Sequence, residues 1–366
     1  MLKRIYIDNF RTLVNFELNF DSINLFLGGN GSGKSSVFDV LRKIQTFIIG
    51  DRKVEGIFKA SDCTRWRTYN VQYFELEIAG NGGNYRYELH IEFTDKNVYV
   101  ELERLSFNQD ILLEVNKDEA QIFEGGSVSK FSYAAHYSLM SDMLMSDSCQ
   151  KIARFRKRIE RFIIVQIIPS LMIDGSEKED NNLTSQMENF VSWYRYISQD
   201  QGKISEIMPV LKEVIDGFVS FKFEQFRENY KVLKLRFASE VDKANIIEYY
   251  LSELSDGQKT ILALYTLLYA TKEEDYTLCI DEPEAFLALP EIQPWLIQLY
   301  DFCSERKLQA LLISHHPEFI NYLLASPIGY WFERDSNTAT RVRKVSNDEA
   351  EDTGLKISQL IERGWL

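Results

Sequence analysis

Basic residues are in the minority in this 366-residue chain: 42 Lys and Arg stand against 55 Asp and Glu, a net charge of −13. That balance excludes a protein coated all round with basic surface for nucleic acid. It leaves room for a local basic groove, which the overall sum would hide. Cysteine is scarce, with Cys63, Cys149, Cys279 and Cys303 scattered and no CxxC pair. A disulfide or zinc framework is therefore not expected, and a reduced cytoplasmic setting fits better. No stretch approaches the roughly 18 apolar residues that a bilayer-spanning helix needs. The opening MLKRIYIDNF alternates like a strand and lacks the apolar run of a signal peptide. The expectation is a soluble protein with no membrane partner. Internal repeats, low-complexity tracts and sustained heptads are also missing, so neither a solenoid nor a long coiled coil is expected.

What the chain does have is apolar content of 45 %, enough for a substantial core. Its length suits one large or two coupled lobes. LKRIYID (2–8) and SINLFL (22–27) read as short buried strands, and SSVFDVLRKIQTFI follows with helical spacing. Three segments within 71–115 alternate with period two between Gly, Asn and Asp turns, which predicts an antiparallel meander. Residues 139–215 read as mainly helical, interrupted by the polar loop Asp174–Asn182. KISEIMPVLKEVIDGFVSF reads as a helix with Pro209 in its early turns, and two more alternating segments follow it. From residue 250 a helix, the strand YTLCID, a helix and the strand LQALLIS predict a largely parallel sheet. These readings divide the chain into 1–135, an inserted lobe 136–245, and 246–366.

Four short motifs carry the chemistry. GGNGSGKSS (Gly28–Ser36) lies between a strand and a helix, the context of a phosphate-binding loop. Its glycines let backbone amides turn toward phosphate; Lys34 would neutralise β/γ-phosphate charge and the Ser35 hydroxyl would ligate Mg²⁺. TLCIDEPE (Thr277–Glu284) is an apolar strand ending in an acidic pair, in which Asp281 would hold the metal shell and Glu282 would polarise the attacking water. LLISHHPE (Leu311–Glu318) is a second such strand, ending in His315 with His316 as its competitor for the γ-phosphate. LSDGQK (Leu254–Lys259) places Ser255 at a helix N-cap, where free amides form an anion site. An ordinary capped core helix reads the same way. This helix precedes the acidic strand, however, so its anion site is expected to face a second molecule.

These residues resemble the SMC/RecF/OLD clade of ABC-type ATPases over the first 40 or so residues and about 245–325. The resemblance implies an α/β P-loop NTPase head with an antiparallel β subdomain, an inserted helical lobe and no long coiled coil. It implies ATP and Mg²⁺ as ligands, with Asn30, Gly31, Ser32, Gly33, Lys34, Ser35 and Ser36 around the phosphates, and Arg11 of the Asn-Phe-Arg turn near the nucleotide. Ser35 and Asp281 would hold the metal, and Glu282 and His315 would be catalytic. Ser255, Gly257 and Gln258 would close the site in trans, making a homodimer with ATP sandwiched between copies and leaving a higher oligomer open. The preference for His315 over His316 follows from the Ser314 before it and Pro317 after it, as in the family's turn. Asp256 departs from the usual glycine, and EPEAFLALPE from the shorter Leu-His-Pro form. Gln72 and Gln166 both remain candidates for the glutamine loop.

The nearest likeness is to ATPase subunits of bacterial anti-phage systems such as PARIS, Septu and retron-associated operons. It implies a separate effector, a nuclease or a toxin; only about 50 residues follow His316, too few for a nuclease domain. The alternatives are a RecF-like repair ATPase acting directly on DNA, and a scaffold that binds ATP with little hydrolysis. Lys151, Arg154, Arg158 and Arg161 fall on one helical stripe beside the apolar residues Ile152, Phe155, Ile159 and Phe162. That stripe reads either as a groove edge for DNA or RNA phosphates or an acidic partner, or as the solvated face of a core helix.

Overall fold

A computed structural model describes residues 1–50, 52–95, 97–134, 136–142, 149–239, 245–272, 275–305, 308–316, 328–345, 356 and 359. The acidic run 348–352 and Pro317 lie outside the described residues. In chain order come β1 (Leu2–Asp8), β2 (Phe16–Asn19), β3 (Ile23–Gly28), α1 (Lys34–Ile49), α2 (Val54–Ile57) and β4 (Val71–Gly80). Then follow β5 (Gly83–Phe93), β6 (Val98–Phe107), β7 (Asp110–Asn116), β8 (Glu119–Glu124), β9 (Ser127–Ser132), α3 (Leu139–Asp142) and α4 (Gln150–Glu160). Next are β10 (Phe162–Gln166), β11 (Gly175–Ser176), α5 (Phe190–Ile197), α6 (Gln201–Val214), β12 (Phe218–Arg227), β13 (Tyr230–Ala238) and β14 (Ile246–Tyr250). The series ends with α7 (Asp256–Thr271), β15 (Tyr276–Asp281), α8 (Leu289–Ser304), β16 (Leu308–Ile313), β17 (Ile328–Glu333) and β18 (Arg341–Val345). Two compact units emerge: Met1–Phe162 with Asp275–Thr277 and Leu324–Leu366, and Ile163–Glu274 with Leu278–Leu323.

The first unit contains the predicted three-segment meander as β4, β5 and β6, extended by β7, β8 and β9 on one side and by β1 and β2 on the other: β2-β1-β4-β5-β6-β7-β8-β9 form one sheet among the described residues. Two of its hairpins turn on a pair of residues with positive φ, Asn81-Gly82 and Gly125-Gly126, and two on a single one, Asn108 and Lys117. Such turns match the right-handed twist of the strands they join. Alternation buries Tyr85, Tyr87, Leu89 and Ile91 of β5. The Phe155 ring of α4 packs 5.6 Å from both tyrosine rings. Elsewhere in this unit β3, buried along its whole length, pairs in parallel with β17, which pairs antiparallel with β18.

In the second unit β10, β15 and β16 are consecutive strands of a sheet. A small antiparallel sheet joins β12, β13, β11 and β14. Helix α7 is buried over most of its length, and the indole of Trp295 in α8 donates to its Leu264 carbonyl at 3.0 Å. Two expectations need correction. FIIVQ is strand β10 rather than helix: four to five apolar residues after a helix read the same in either state. The helix expected to run through Phe221 stops at Val214, because Gly217 takes φ 70 and opens the turn into β12; Pro209 therefore sits past its middle.

One buried carboxyl stands out in the first unit. Glu103 on β6 is fully enclosed, accepting bonds from Tyr87 Oη (3.0 Å), Ser138 Oγ (2.5 Å) and the Leu139 amide (3.0 Å). Burial outweighs these donors and pushes its carboxyl from 4.5 up to about 7. The folded protein therefore holds a proton there that the unfolded chain has lost, so stability falls as pH rises from about 4.5 to about 7. The contribution lost across that window is at most about 3 kcal/mol. Thermal midpoints of wild type and Glu103→Gln across pH 5 to 8 should show a shallower decline for the variant; parallel curves would refute the assignment.

Candidate functional site

The phosphate loop is shaped by close approach. Gly28 has φ 130, and a Cβ there would lie 2.2 Å from the Phe332 carbonyl oxygen; Gly33 has φ 109, and a Cβ there would lie 2.6 Å from Thr340 Oγ1. Only glycine fits either position. Lys34, the first residue of α1, is buried and turns back into the loop, donating from Nζ to the carbonyls of Gly28 (2.8 Å) and Gly29 (2.9 Å). Asn30, Gly31 and Ser35 are exposed, Ser32 is buried, and Gly33 and Ser36 are half-buried. The loop is fastened from behind: Thr340 donates from Oγ1 to the Ser32 carbonyl at 2.8 Å and from its amide to the Thr12 carbonyl at 2.9 Å. The hydroxyls of Thr12 and Thr340 are 2.9 Å apart. Nothing in the loop's own motif announced Thr12 or Thr340.

Arg11 has φ 51 and bonds Asp39 of α1 at 2.6 Å, with Asp62 3.6 Å from its Nε. It thus stands beside the second turn of the helix that leaves the loop. Asn9 is completely buried and serves the backbone, donating to the carbonyls of Tyr69 and Val71 and accepting from the Thr64 amide. The Asn-Phe-Arg pattern is in this sense a fold signal with Arg11 as its exposed product.

In the second unit β15 ends at Asp281, and Glu282 takes φ 51 while its amide donates to the Ile313 carbonyl at 2.9 Å. His315 Nε2 lies 3.8 Å from Glu282 Oε1. The sequence reading passed over Glu284. Its Oε1 accepts from Ser314 Oγ at 2.5 Å and from the His315 amide at 3.3 Å, and burial raises its carboxyl above the usual range. The EPE spacing was the available signal. Gln166 ends β10, the strand next to β15, whereas Gln72 is wholly buried in the meander.

Ser255 caps α7: its Oγ accepts from the Gln258 amide at 3.2 Å, and Gln258 Oε1 accepts from the Ser255 amide at 3.1 Å. Ser255 and Asp256 are exposed, Gly257 and Gln258 half-buried. The charge of Asp256 is partly met by Lys259, 3.7 Å away. A Cβ on Gly257 would lie 3.1 Å from the Phe286 carbonyl oxygen, so the segment after the acidic pair abuts the start of α7. Phe286 itself is 55 % exposed, with φ 69.

The basic stripe on α4 is not one surface. Arg158 is buried, donating to Thr277 Oγ1 at 2.6 Å, with its Nε 3.4 Å from Asp275. Arg161 follows the helix's last residue and lies 5.8 Å from the Tyr276 ring centre. Lys151 and Arg154 remain exposed, Lys151 over the Phe107 ring at 4.6 Å. A helix with half its circumference in the core cannot offer all four positions to one ligand.

No cluster of three or more His, Cys, Asp or Glu among the described residues could hold a metal unaided. Mg²⁺ bound with nucleotide usually takes one or two protein oxygens beside phosphate and water. The exposed Ser35 hydroxyl of the first unit and, separately, the Asp281 carboxylate of the second are hard oxygen donors of that kind, and the loop admits no side chain at Gly28 or Gly33. Thr340→Val deletes both hydroxyl bonds at nearly constant volume. It should lower stability by about 1–2 kcal/mol and weaken binding of a fluorescent ATP analogue several-fold; unchanged affinity would show that the fastening is dispensable.

Residues 1–204 match the family model described as "AAA ATPase domain". Residues 178–321 match one described as "AAA domain, putative AbiEii toxin, Type IV TA system". A 76-residue stretch is 38 % identical to the DNA replication and repair protein RecF of Actinobacillus succinogenes, covering 20 % of this chain and 19 % of that protein. The chain thus spans about a fifth of the length of that curated relative. A crystal structure of an SmcHead bound to the C-winged helix domain of ScpA superposes with a TM-score of 0.54 at 12 % identity, over 96 % of this chain and 99 % of that one. The SMC head domain from Thermotoga maritima gives 0.47 at 15 % identity, over 94 % and 99 %. The fold is accordingly an SMC-head-like α/β fold, and no helix among the described residues is long and apolar enough to cross a membrane. With 204 of its 366 residues inside the first model, the chain belongs to the AAA ATPase domain family.

Proposed function

We propose that the protein binds Mg-ATP and hydrolyses it slowly between two copies of the chain, and that the bound state controls a separate effector in anti-phage defence. Bound Mg²⁺ and ATP supply the scissile phosphoanhydride and its charge screening. Lys34 neutralises the β/γ-phosphate oxygens, Ser35 and Asp281 hold the metal, and Asn30 to Gly33 and Ser36 line the loop. Arg11 flanks the nucleotide. Glu282 orients the attacking water, and His315 contacts the γ-phosphate.

The observation that carries the two-copy reading is the exposed N-terminus of α7. Ser255 and Gln258 satisfy each other there. The amides of Asp256 and Gly257, in the helix's first turn, meet no acceptor among the described residues. Such amides favour an anion, and the exposed Phe286 beside them suits a protein contact. Ser255, Gly257 and Gln258 would therefore meet the γ-phosphate held by the other copy. The match of residues 178–321 to a model whose description names a putative toxin and a TA system supports a setting in which a toxin takes part.

Glu282→Gln tests this reading. Turnover should fall at least about 100-fold while ATP stays bound and the dimer persists in size-exclusion chromatography with light scattering; ordinary turnover would remove Glu282 from its role. A second reading, a RecF-like ATPase acting directly on DNA, is favoured by the 38 % match to RecF. Several-fold stimulation of turnover by DNA would select it. An ATPase rate indifferent to single- and double-stranded DNA would count against it.

A further inference from the structure

Glu282 and His315 are both exposed enough to meet a ligand, whereas Glu284, two residues along, is turned inward. A buried carboxyl is costly to keep unless it holds something. Glu284 Oε1 receives the Ser314 hydroxyl and the His315 amide. The His316 amide in turn donates to Ser314 Oγ at 3.1 Å. All three residues of the turn after β16 are thus referred to a single carboxylate oxygen. The other oxygen, Oε2, is buried with no hydrogen-bond partner, so a second local bonding role does not account for the group.

We propose that Glu284 is a positioning residue, which anchors the Ser314–His316 turn and thereby sets where the His315 imidazole stands relative to Glu282. Both are fixed from the same side. Glu284 belongs to the segment that follows β15, and the Glu282 amide is bonded to the Ile313 carbonyl at the end of β16. The backbone bond ties the segment to β16, and the Glu284 bonds tie the turn after β16 to the segment. The imidazole at 3.8 Å from the Glu282 carboxylate is held by this double tie rather than by contacts of its own ring alone. Displacements of about 1 Å in such groups cost of order 100-fold in rate.

The inference rests on the ATPase reading above, and the experiment separates their failures. Steady-state ATP turnover would be measured on the full chain for wild type, Glu284→Ala, Glu284→Gln, His315→Ala and the double variant Glu284→Ala/His315→Ala. Radiolabelled phosphate release keeps losses of about 1,000-fold within reach, and thermal melts accompany each protein. Glu284→Ala should lower kcat about 30-fold with KM within about twofold, the signature of lost transition-state alignment. Glu284→Gln keeps an acceptor oxygen for Ser314 and His315 and should stay within about threefold of wild type. The double variant should match His315→Ala, because the anchor acts only through the imidazole.

Multiplying losses in the double variant, a change confined to KM, or a Gln variant as impaired as Ala would each overturn the proposal. Should Glu284→Ala fail to fold, Ser314→Ala removes the donor instead. Its loss of about fivefold in kcat should vanish in the His315→Ala background, and persistence there overturns the proposal. Where wild type turns over and Glu282→Gln does not, the ATPase reading stands and the cycle alone decides. Absence of turnover in wild type overturns both.

Discussion

A lysine ammonium enclosed by protein must be hydrogen-bonded, and Lys34 finds partners in the carbonyls of Gly28 and Gly29. For those carbonyls to converge, the chain must turn through conformations that only glycine takes easily, and it must do so against neighbours that leave no room for a side chain. The parallel pairing of β3 with β17 brings the Phe332 carbonyl up to Gly28, and the start of β18 brings Thr340 up to Gly33. The loop is thereby made by strands far away in sequence as much as by its own motif. Arg11 is held in the same economical way, by Asp39 on the helix that Lys34 begins.

The second unit solves a different problem with similar means. Two strand ends must present acidic and imidazole groups without the turns that carry them collapsing onto each other. The Glu282 amide and the Glu284 carboxylate cross-link those turns. At the other end of the same segment, Phe286 closes on Gly257. The acidic pair and the start of α7 are therefore linked through six residues of chain, Asp281 to Phe286, with Glu284 in the middle.

Most of this fold could be read from the amino acids because alternation and glycine placement are local signals. β4 to β6 announced themselves by period-two alternation, and α1, α7, β15 and β16 by the motifs around them. β10 did not, since FIIVQ is short and apolar throughout and offers no period to count. β8 and β9 were hidden by their polarity: β9 is exposed at every position, so no buried face marks it as a strand. The α4 stripe stayed open between two readings because helical spacing fixes a direction but not what lies there, and Thr277 with Asp275 lies opposite Arg158. Among the candidate site residues, Lys34, Asp281, Glu282 and Ser255 were singled out by motif spacing alone. Thr12, Thr340 and Glu284 were not, because each acts on a residue distant in the chain and belongs to no pattern of its own.

The left-handed backbone at Glu282 has a corollary for how this position can vary. Branching at Cβ is penalised there, and side chains that tolerate such a φ are chiefly Gly, Asn and Asp. Evolutionary drift at the position would then drain toward shorter polar residues, which keep the turn but withdraw the carboxylate or lose it. The end of β15 and the bond from the amide of residue 282 to the Ile313 carbonyl would survive such a change, so the turn itself sets no demand for a carboxylate of this length.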